Sequence, residues 1–401
     1  MDPRRNPFAP GAGIPPPELA GRDNLIERGA ISLDRIRARA AARSLIFYGL
    51  RGVGKTVLLN RVRTDAEGRG IFAARMEAPE ERSLPALLAP SLRALLTRVS
   101  RGAAAKAAAR RALSALSGFA KALKFKYDDL QIGLEFDPEP GLADSGDLET
   151  DLTALLASVG TAAAERDAAV VLFIDELQYV REDQLAALIG ALHSASQDQL
   201  PITMMAAGLP QLVGQAGRAK SYAERLFEFV PMDRLDPEAA GAALCVPAAK
   251  SDVTFDDAAI SEILAQTLGY PYFLQEWGKH SWNLADRSPI KGSDARRATV
   301  QALAELDASF FRVRFDRLTP SEKRYLRAMA ELGPGPHRSG NIADRLGRRV
   351  TAVAPIRSAR SARAGLRLVH RGLRHRRSER RQGPARRAEL TFVAAPLRKA
   401  R

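Results

Sequence analysis

Ser44-Leu45-Ile46-Phe47-Tyr48-Gly49-Leu50-Arg51-Gly52-Val53-Gly54-Lys55-Thr56-Val57-Leu58-Leu59 reads as strand, loop and helix in succession. The apolar run Leu45 to Tyr48 suits a buried parallel strand. Gly49-x-x-x-x-Gly54-Lys55-Thr56 then matches the phosphate-binding loop, the Walker A pattern, position by position. The chemistry needs those residue types. Glycines let backbone N–H groups close around phosphate oxygens, Lys55 sets a point charge on the β- and γ-phosphates, and the Thr56 hydroxyl can ligate Mg²⁺. The helix that follows turns its N-terminus toward the anion. The expected nucleotide contacts are Gly49, Leu50, Arg51, Gly52, Val53, Gly54, Lys55, Thr56 and Val57.

A glycine turn with a chance Lys-Thr is the competing reading, and a second motif weighs against it. Ala169-Val170-Val171-Leu172-Phe173-Ile174-Asp175-Glu176 is another buried-strand run, ending in two carboxylates as the Walker B pattern does. Asp175 would hold Mg²⁺ through its water shell beside Thr56, while Glu176 would polarise the water that attacks the γ-phosphate. Lys55 and Glu176 are therefore the expected catalytic residues and Thr56 and Asp175 the metal residues. Acidic pairs after a strand are common turn residues, but paired with the loop they read as a nucleoside triphosphatase using ATP and Mg²⁺.

Composition bounds the remainder. At 401 residues the chain has room for two or three domains. The single cysteine, Cys245, excludes a disulfide framework and a cysteine-built zinc site, and its apolar neighbours suggest a packed thiol. The five histidines show no ligand spacing, and His280 and His337 read as structural. No apolar run would span a bilayer and the proline-rich N-terminus lacks a hydrophobic signal region, so a cytoplasmic protein without membrane contact is expected. The net charge of +15 invites a nucleic-acid reading, yet fifteen Lys and Arg against two Glu from residue 357 onward carry +13 of it. The body of the chain is not basic.

Along the chain, a leader through Pro17 precedes a helix beginning near Asn24. Strands are expected over 71–76 and 202–207, helices over 84–101, 103–116 and 182–197, and a β-hairpin insertion over about 121–137 from its alternation of apolar and polar residues. Asp144, Asp147, Glu149 and Asp151 tempt a metal reading, but they open an apolar-periodic helix and are better explained as caps. From Pro237 the pattern becomes helices with short turns to about Phe311. Thr319, Pro320 and Glu322 then form a capping box that starts a helix to Leu332. Two more helices, 341–346 and 350–356, suit a winged-helix-like module, for which DNA and a docked protein are about equally good partners.

The loop 49–56, Asp175-Glu176, the Gly208-Leu209-Pro210 strand end, the helix around Tyr222-Ala223-Glu224-Arg225-Leu226 and Gly269-Tyr270-Pro271 together resemble bacterial origin-recognition-complex-like AAA+ ATPases, close to the signal-transduction (STAND) P-loop ATPases. The resemblance runs from about Asn6 to Arg357. It implies an α/β P-loop NTPase domain, an αβα sandwich around a parallel sheet, over residues 1–235. A helical lid over 236–311 and a winged-helix-like module over 312–357 would follow. It also implies base contact by Leu19 to Arg22, packing of Pro271 on the nucleotide, and Arg225 as an arginine finger toward a neighbouring subunit of a homo-oligomer. Two departures imply slow turnover. The fourth strand ends Met205-Ala206-Ala207-Gly208 with no polar sensor at its tip, and Pro271 stands where the lid would carry a sensor arginine.

The resemblance stops at Arg357. Residues 358–401 form a basic tail that is either an arm gripping nucleic-acid phosphates or a segment translated out of frame from a GC-rich gene. The second is favoured, because the break cuts through a module that needs its remainder to bury a core; resequencing the locus decides it. The leading expectation is an ATP-binding regulatory switch that hydrolyses ATP slowly. An ATP-dependent DNA-binding initiator or transcription-linked factor, and a protein-docking ATPase of signalling or defence, are the alternatives.

Overall fold

The computed structural model describes residues 1–347, except 12, 41, 102–104, 125–126, 128–135, 317 and 334–336. The described chain divides into two compact units, 22–233 and a second comprising 1–21 with the residues from 234 onward.

The first unit is built on five parallel strands: β1 (Ser44–Gly49), β2 (Phe72–Glu77), β3 (Val170–Asp175), β4 (Ile202–Gly208) and β5 (Phe227–Met232). Their order is β2-β3-β4-β1-β5. β3 and β4 are buried at every position, which is why their sequences are continuous apolar runs rather than alternations. The helices are α1 (Asp23–Arg37), α2 (Lys55–Gly68), α3 (Leu84–Val99), α4 (Lys106–Leu123), α5 (Leu148–Glu165), α6 (Glu182–Gln197), α7 (Gln211–Ala219) and α8 (Ala223–Leu226). Crossovers between parallel strands are right-handed. The connection β1-α2-β2 runs toward one sheet edge and all later connections run back, so α2, with α1 packed on it, lies on one face and α3 to α8 on the other. The result is the αβα P-loop sandwich expected from the two motifs.

Local chemistry accounts for the boundaries. Ser83 caps α3 and Asp147 caps α5, each side chain accepting from a backbone N–H of the first turn. The acidic set is consumed structurally: Asp151, 1 % exposed, accepts from Ser145 and from the Gly146 N–H, Asp144 accepts from Gly141, and Glu149 pairs with Lys220 at 2.8 Å. The hairpin expected at 121–137 falls largely outside the described residues, and Lys121 to Leu123 belong to the last turn of α4.

The second unit is helical: α9 (Pro237–Ala249), α10 (Asp257–Thr267), α11 (Pro271–Leu284), α12 (Gly292–Glu305), α13 (Arg312–Asp316), α14 (Pro320–Glu331) and α15 (Ser339–Arg345). Thr319 and Glu322 form the expected capping box of α14. Tyr325, Leu332, Ile342 and Ala343 pack between α14 and α15. The expected helix at 350–356 and the tail 358–401 lie outside the described residues. The N-terminal leader is more than an extended approach. Asn6 donates to the Lys279 carbonyl at 3.0 Å and to Asn283, the Trp282 indole donates to the Asp2 carbonyl, and Phe8 is buried edge-on to Phe255. A side chain at Gly278 would strike Phe8, so this glycine lets the leader lie against α11. Cys245 departs from expectation as well: it sits within α9 but is exposed, with its thiol pushed up by partial desolvation. Among the described residues no helix is long and apolar enough to cross a membrane.

Candidate nucleotide site

The site forms where β1 and β3 end. Parallel strands present their carboxyl ends on one edge, and β4 lies between β1 and β3, so the loop after Gly49 and the carboxylates after Ile174 face each other across the tip of β4. Gly49 is required by contact, because a Cβ there would lie 2.1 Å from the Met232 carbonyl oxygen of β5. Gly52 and Gly54 are required by conformation, with φ of 86° and 92°. Gly54 thereby caps α2 with its backbone in the left-handed region, leaving the first N–H groups of the helix turned into the loop.

Lys55 opens α2 and is 5 % exposed. Its ammonium donates to the Leu50 carbonyl at 2.9 Å, across the loop it would share with phosphate. Burial lowers its pKa to about 8, against the opposing pull of the Glu176 and Asp175 charges. Asp175 is also buried. Desolvation raises its pKa, partly offset by hydrogen bonds from the Thr56 hydroxyl and the Glu176 N–H, the latter at 2.9 Å. Thus Lys55, Thr56, Asp175 and Glu176, expected together from the sequence, occupy one cluster. Leu50, Arg51 and Val53 line the same loop. The Val53 carbonyl accepts from Arg22 at 3.3 Å, and Arg22 also donates to the Asp233 carbonyl, bracing the loop from behind. Arg51 donates to the Tyr179 hydroxyl at 2.6 Å. Val57 follows in the first turn of α2.

Glu176 holds an uncommon backbone, φ 53°, that turns its side chain out of the strand direction into a short 3₁₀ turn, Leu177–Tyr179. That turn carries Gln178, which sequence reading missed. Its amide is buried, its Nε2 donates to the Glu176 carboxylate and its Oε1 accepts from the Leu209 N–H at 2.9 Å. A Cβ on Gly208 would lie 2.9 Å from Gln178 Oε1, so the small residue at the strand tip leaves space for this bridge. The available signal was a polar residue two positions beyond Glu176 where the surrounding turn is apolar. Thr203 is no substitute sensor: it pairs with Ser44 at 3.1 Å, at the amino end of β1.

Two further expected residues are placed by other elements. Arg225 is exposed on α8, just before β5 begins, and Phe227 pairs with Ser44 rather than with Gly49. Five strand residues, about 16 Å, separate that edge from the loop of its own chain. Pro271 is the first residue of α11, in the helical unit.

Comparison with known proteins gives two family matches, an AAA ATPase domain over residues 18–205 and a domain of unknown function (DUF8462) over 308–360. No curated protein sequence matches. Among solved structures, the Walker-type ATPase PABY2304 of Pyrococcus abyssi is similar at 17 % identity and a TM-score of 0.53, over 86 % of this chain and 87 % of that one. The Aeropyrum pernix ORC1 protein in complex with DNA superposes more loosely, at 14 % identity and 0.45, over 88 % and 82 %. The RuvB Holliday junction branch migration motor of Thermotoga maritima does the same, at 15 % and 0.44, over 84 % and 85 %. The fold is shared with the first. Over residues 18–205, just under half of the chain, the sequence is similar to AAA ATPase domains, and that span includes both the loop Gly49 to Thr56 and the Asp175-Glu176 pair.

Proposed function

We propose that this chain binds ATP with Mg²⁺ in the loop Gly49 to Thr56 and hydrolyses it slowly, as a switch whose bound nucleotide sets the state of the protein. The observation that carries the reading is the cluster of Thr56 and Glu176 with the buried Lys55 and Asp175 at the N-terminus of α2, behind the glycine loop. Lys55 is desolvated and donates to the Leu50 carbonyl, and a polyphosphate in the loop would add negative charge beside it.

Thr56 and Asp175 would hold Mg²⁺. Their hydrogen-bonded pair of hard oxygen donors fits that ion, and the raised pKa of Asp175 reports a negative charge that a cation would relieve. When bound, the metal neutralises charge on the phosphate oxygens. Glu176 orients and deprotonates the attacking water, and Gln178 holds its carboxylate. Lys55 and the loop N–H groups stabilise charge on the transferring phosphoryl.

Slow turnover follows from what surrounds Glu176. The strand tip Ala206-Ala207-Gly208 offers no side-chain donor, and the Gln178 amide holds the carboxylate that must act on water. Arg225, on the far edge of the sheet, could serve only a neighbouring copy of the chain. The roles of Pro271, of the helical unit as a lid and of residues 312–357 as the output module rest on the family resemblance. Binding and turnover measured together test the proposal. Lys55→Ala should weaken ATP binding by about a hundredfold or more, while Glu176→Gln should bind ATP as tightly as the parent and hydrolyse it far more slowly. Equal binding by the Lys55 variant in a calorimetric titration contradicts it.

A further inference from the structure

The helical unit carries a second cluster of buried polar groups that the nucleotide chemistry does not use. Glu276 and His280 lie one turn apart on α11, 6 % and 7 % exposed, and Glu305 ends α12 beside them. One ligating atom from each of the three lies within 4.8 Å of the others. His280 Nε2 is 3.1 Å from Glu305 Oε2 and 3.9 Å from Glu276 Oε2. Both His280 Nε2 and Glu276 Oε2 are buried; the imidazole is paired with Glu305, while Glu276 Oε2 has no hydrogen-bond donor and only the Lys279 ammonium at 4.0 Å. A buried carboxylate oxygen without a donor is costly, and one that faces an imidazole and a second carboxylate leaves a place for a third party.

The other atoms of the carboxylates are already held. Tyr272 donates its hydroxyl to Glu276 Oε1 at 2.9 Å, and Lys279 donates to Glu305 Oε1 at 3.0 Å. Each carboxylate therefore has one oxygen fixed by a donor and the other near the imidazole, with the Lys279 ammonium also 4.0 Å from that of Glu276. That is the division of labour between metal ligands and the groups that orient them. The indole of Trp277 fixes α11 against α12 by donating to Thr299 at 2.9 Å, so the three residues are positioned by helix packing rather than by a loop. A tetrahedral ion with bonds near 2.0–2.1 Å sets its ligands about 3.3 Å apart, close to the spacing of His280 and Glu305. Two carboxylates against the Lys279 ammonium leave a net negative charge for a cation. A neutral imidazole with two carboxylates suits a borderline ion such as Zn²⁺ better than Mg²⁺, which favours oxygen alone.

We infer that Glu276, His280 and Glu305 form a site for a divalent transition-metal ion, independent of the nucleotide cluster. Glu305, about half exposed, is the ligand on the open side and admits the ion.

The test uses the untagged full chain, freed of metal by chelator, titrated with Zn²⁺ against a chromophoric competitor. One equivalent per chain should bind. Glu305→Gln, which alters a solvent-facing group and should leave the far-UV circular dichroism unchanged, should weaken that equivalent at least tenfold. His280→Gln should weaken it further. Asp175→Asn, run in parallel to remove Zn²⁺ from the candidate Mg²⁺ position, should leave it in place. Zn²⁺ should also raise the melting temperature of the parent and not that of Glu305→Gln. Absence of a stoichiometric equivalent in the parent, or an equivalent that survives Glu305→Gln and disappears with Asp175→Asn, overturns the assignment.

Discussion

The cluster at the ends of β1 and β3 and the cluster between α11 and α12 are both small groups of partly buried charge, and they are built for different ligands. In the first, a desolvated ammonium, a hydroxyl and two carboxylates meet at the N-terminus of α2, the proposed setting for a polyphosphate together with its cation. In the second, two carboxylates and an imidazole meet with only the Lys279 ammonium to offset them, the proposed setting for a metal cation. They differ also in how the chain makes them. Gly49 to Thr56 is one contiguous turn whose backbone would do the proposed binding, so the reading rests on eight consecutive residues. Glu276, His280 and Glu305 come from two helices, and nothing brings them together until Trp277 packs against Thr299. A site built from backbone can be read from a motif, whereas one built from packed side chains needs coordinates.

The comparison breaks if the two clusters do not behave independently. The largest expected effect is in the first: Glu176→Gln should lower ATP turnover about a hundredfold to ten-thousandfold, the range for losing a positioned general base. Glu305→Gln should leave turnover within about twofold of the parent, as expected for separate sites without shared partners. Both are read from phosphate release at saturating ATP. A large loss of turnover in Glu305→Gln would mean that the second cluster supports nucleotide chemistry rather than its own ion.

The pH dependence of nucleotide binding sharpens the contrast. Lys55 has a pKa of about 8 without ligand, lowered by burial. Bound polyphosphate adds negative charge beside it and raises that value in the complex. Binding strength is then fully present below about 8 and is lost as pH rises, by at most about tenfold per unit, until the pKa of the complex is passed. Binding above pH 8 should take up a proton, seen as a calorimetric enthalpy that varies with the ionisation enthalpy of the buffer. At the acid end Asp175 acts in the other direction. Because desolvation raises its pKa, Mg²⁺ affinity should fall as pH drops toward that raised value. Affinity that stays flat from pH 7.5 to 9.5 would remove Lys55 from contact with phosphate.

Legibility followed the same division. The buried strands β1, β3 and β4 were visible as apolar runs because parallel strands covered on both faces need no alternation. The helix over 182–197 and the Thr319 cap were visible because their start signals are local. What escaped depended on partners distant in sequence. The leader looked like an extended approach, yet Asn6 and Phe8 anchor it to residues some 250 positions or more away. His280 read as structural, and its pairing with Glu305 on α12 could not be seen in the sequence because it depends on how α11 and α12 pack. Cys245 was expected to be packed because its helix is apolar all round, and in such a helix periodicity does not say which face is covered.

The smallest expected effect concerns Gln178, and it separates two ideas about why the first cluster should be slow. If the amide merely holds the Glu176 carboxylate in place for water, Gln178→Ala should lower turnover by roughly tenfold with KM for ATP unchanged, because the lost contact matters only as the water is activated. If instead the amide restrains Glu176 and is released when nucleotide arrives, the same substitution should raise turnover by a few fold. The direction is readable because Gln178 touches Glu176 and the Leu209 backbone but makes no hydrogen bond to Lys55, Thr56 or Asp175, so ATP affinity should stay constant in either case. Leu209 N–H loses its partner in the variant, a cost to stability of about 1–3 kcal/mol that melting curves will register. Turnover should therefore be compared well below the melting transition, with Gln178→Glu as a second variant. In that variant a carboxylate facing Glu176 replaces attraction by repulsion, so Glu176 is displaced rather than released. A fall in Gln178→Glu with a rise in Gln178→Ala would favour restraint, and a fall in both would favour positioning.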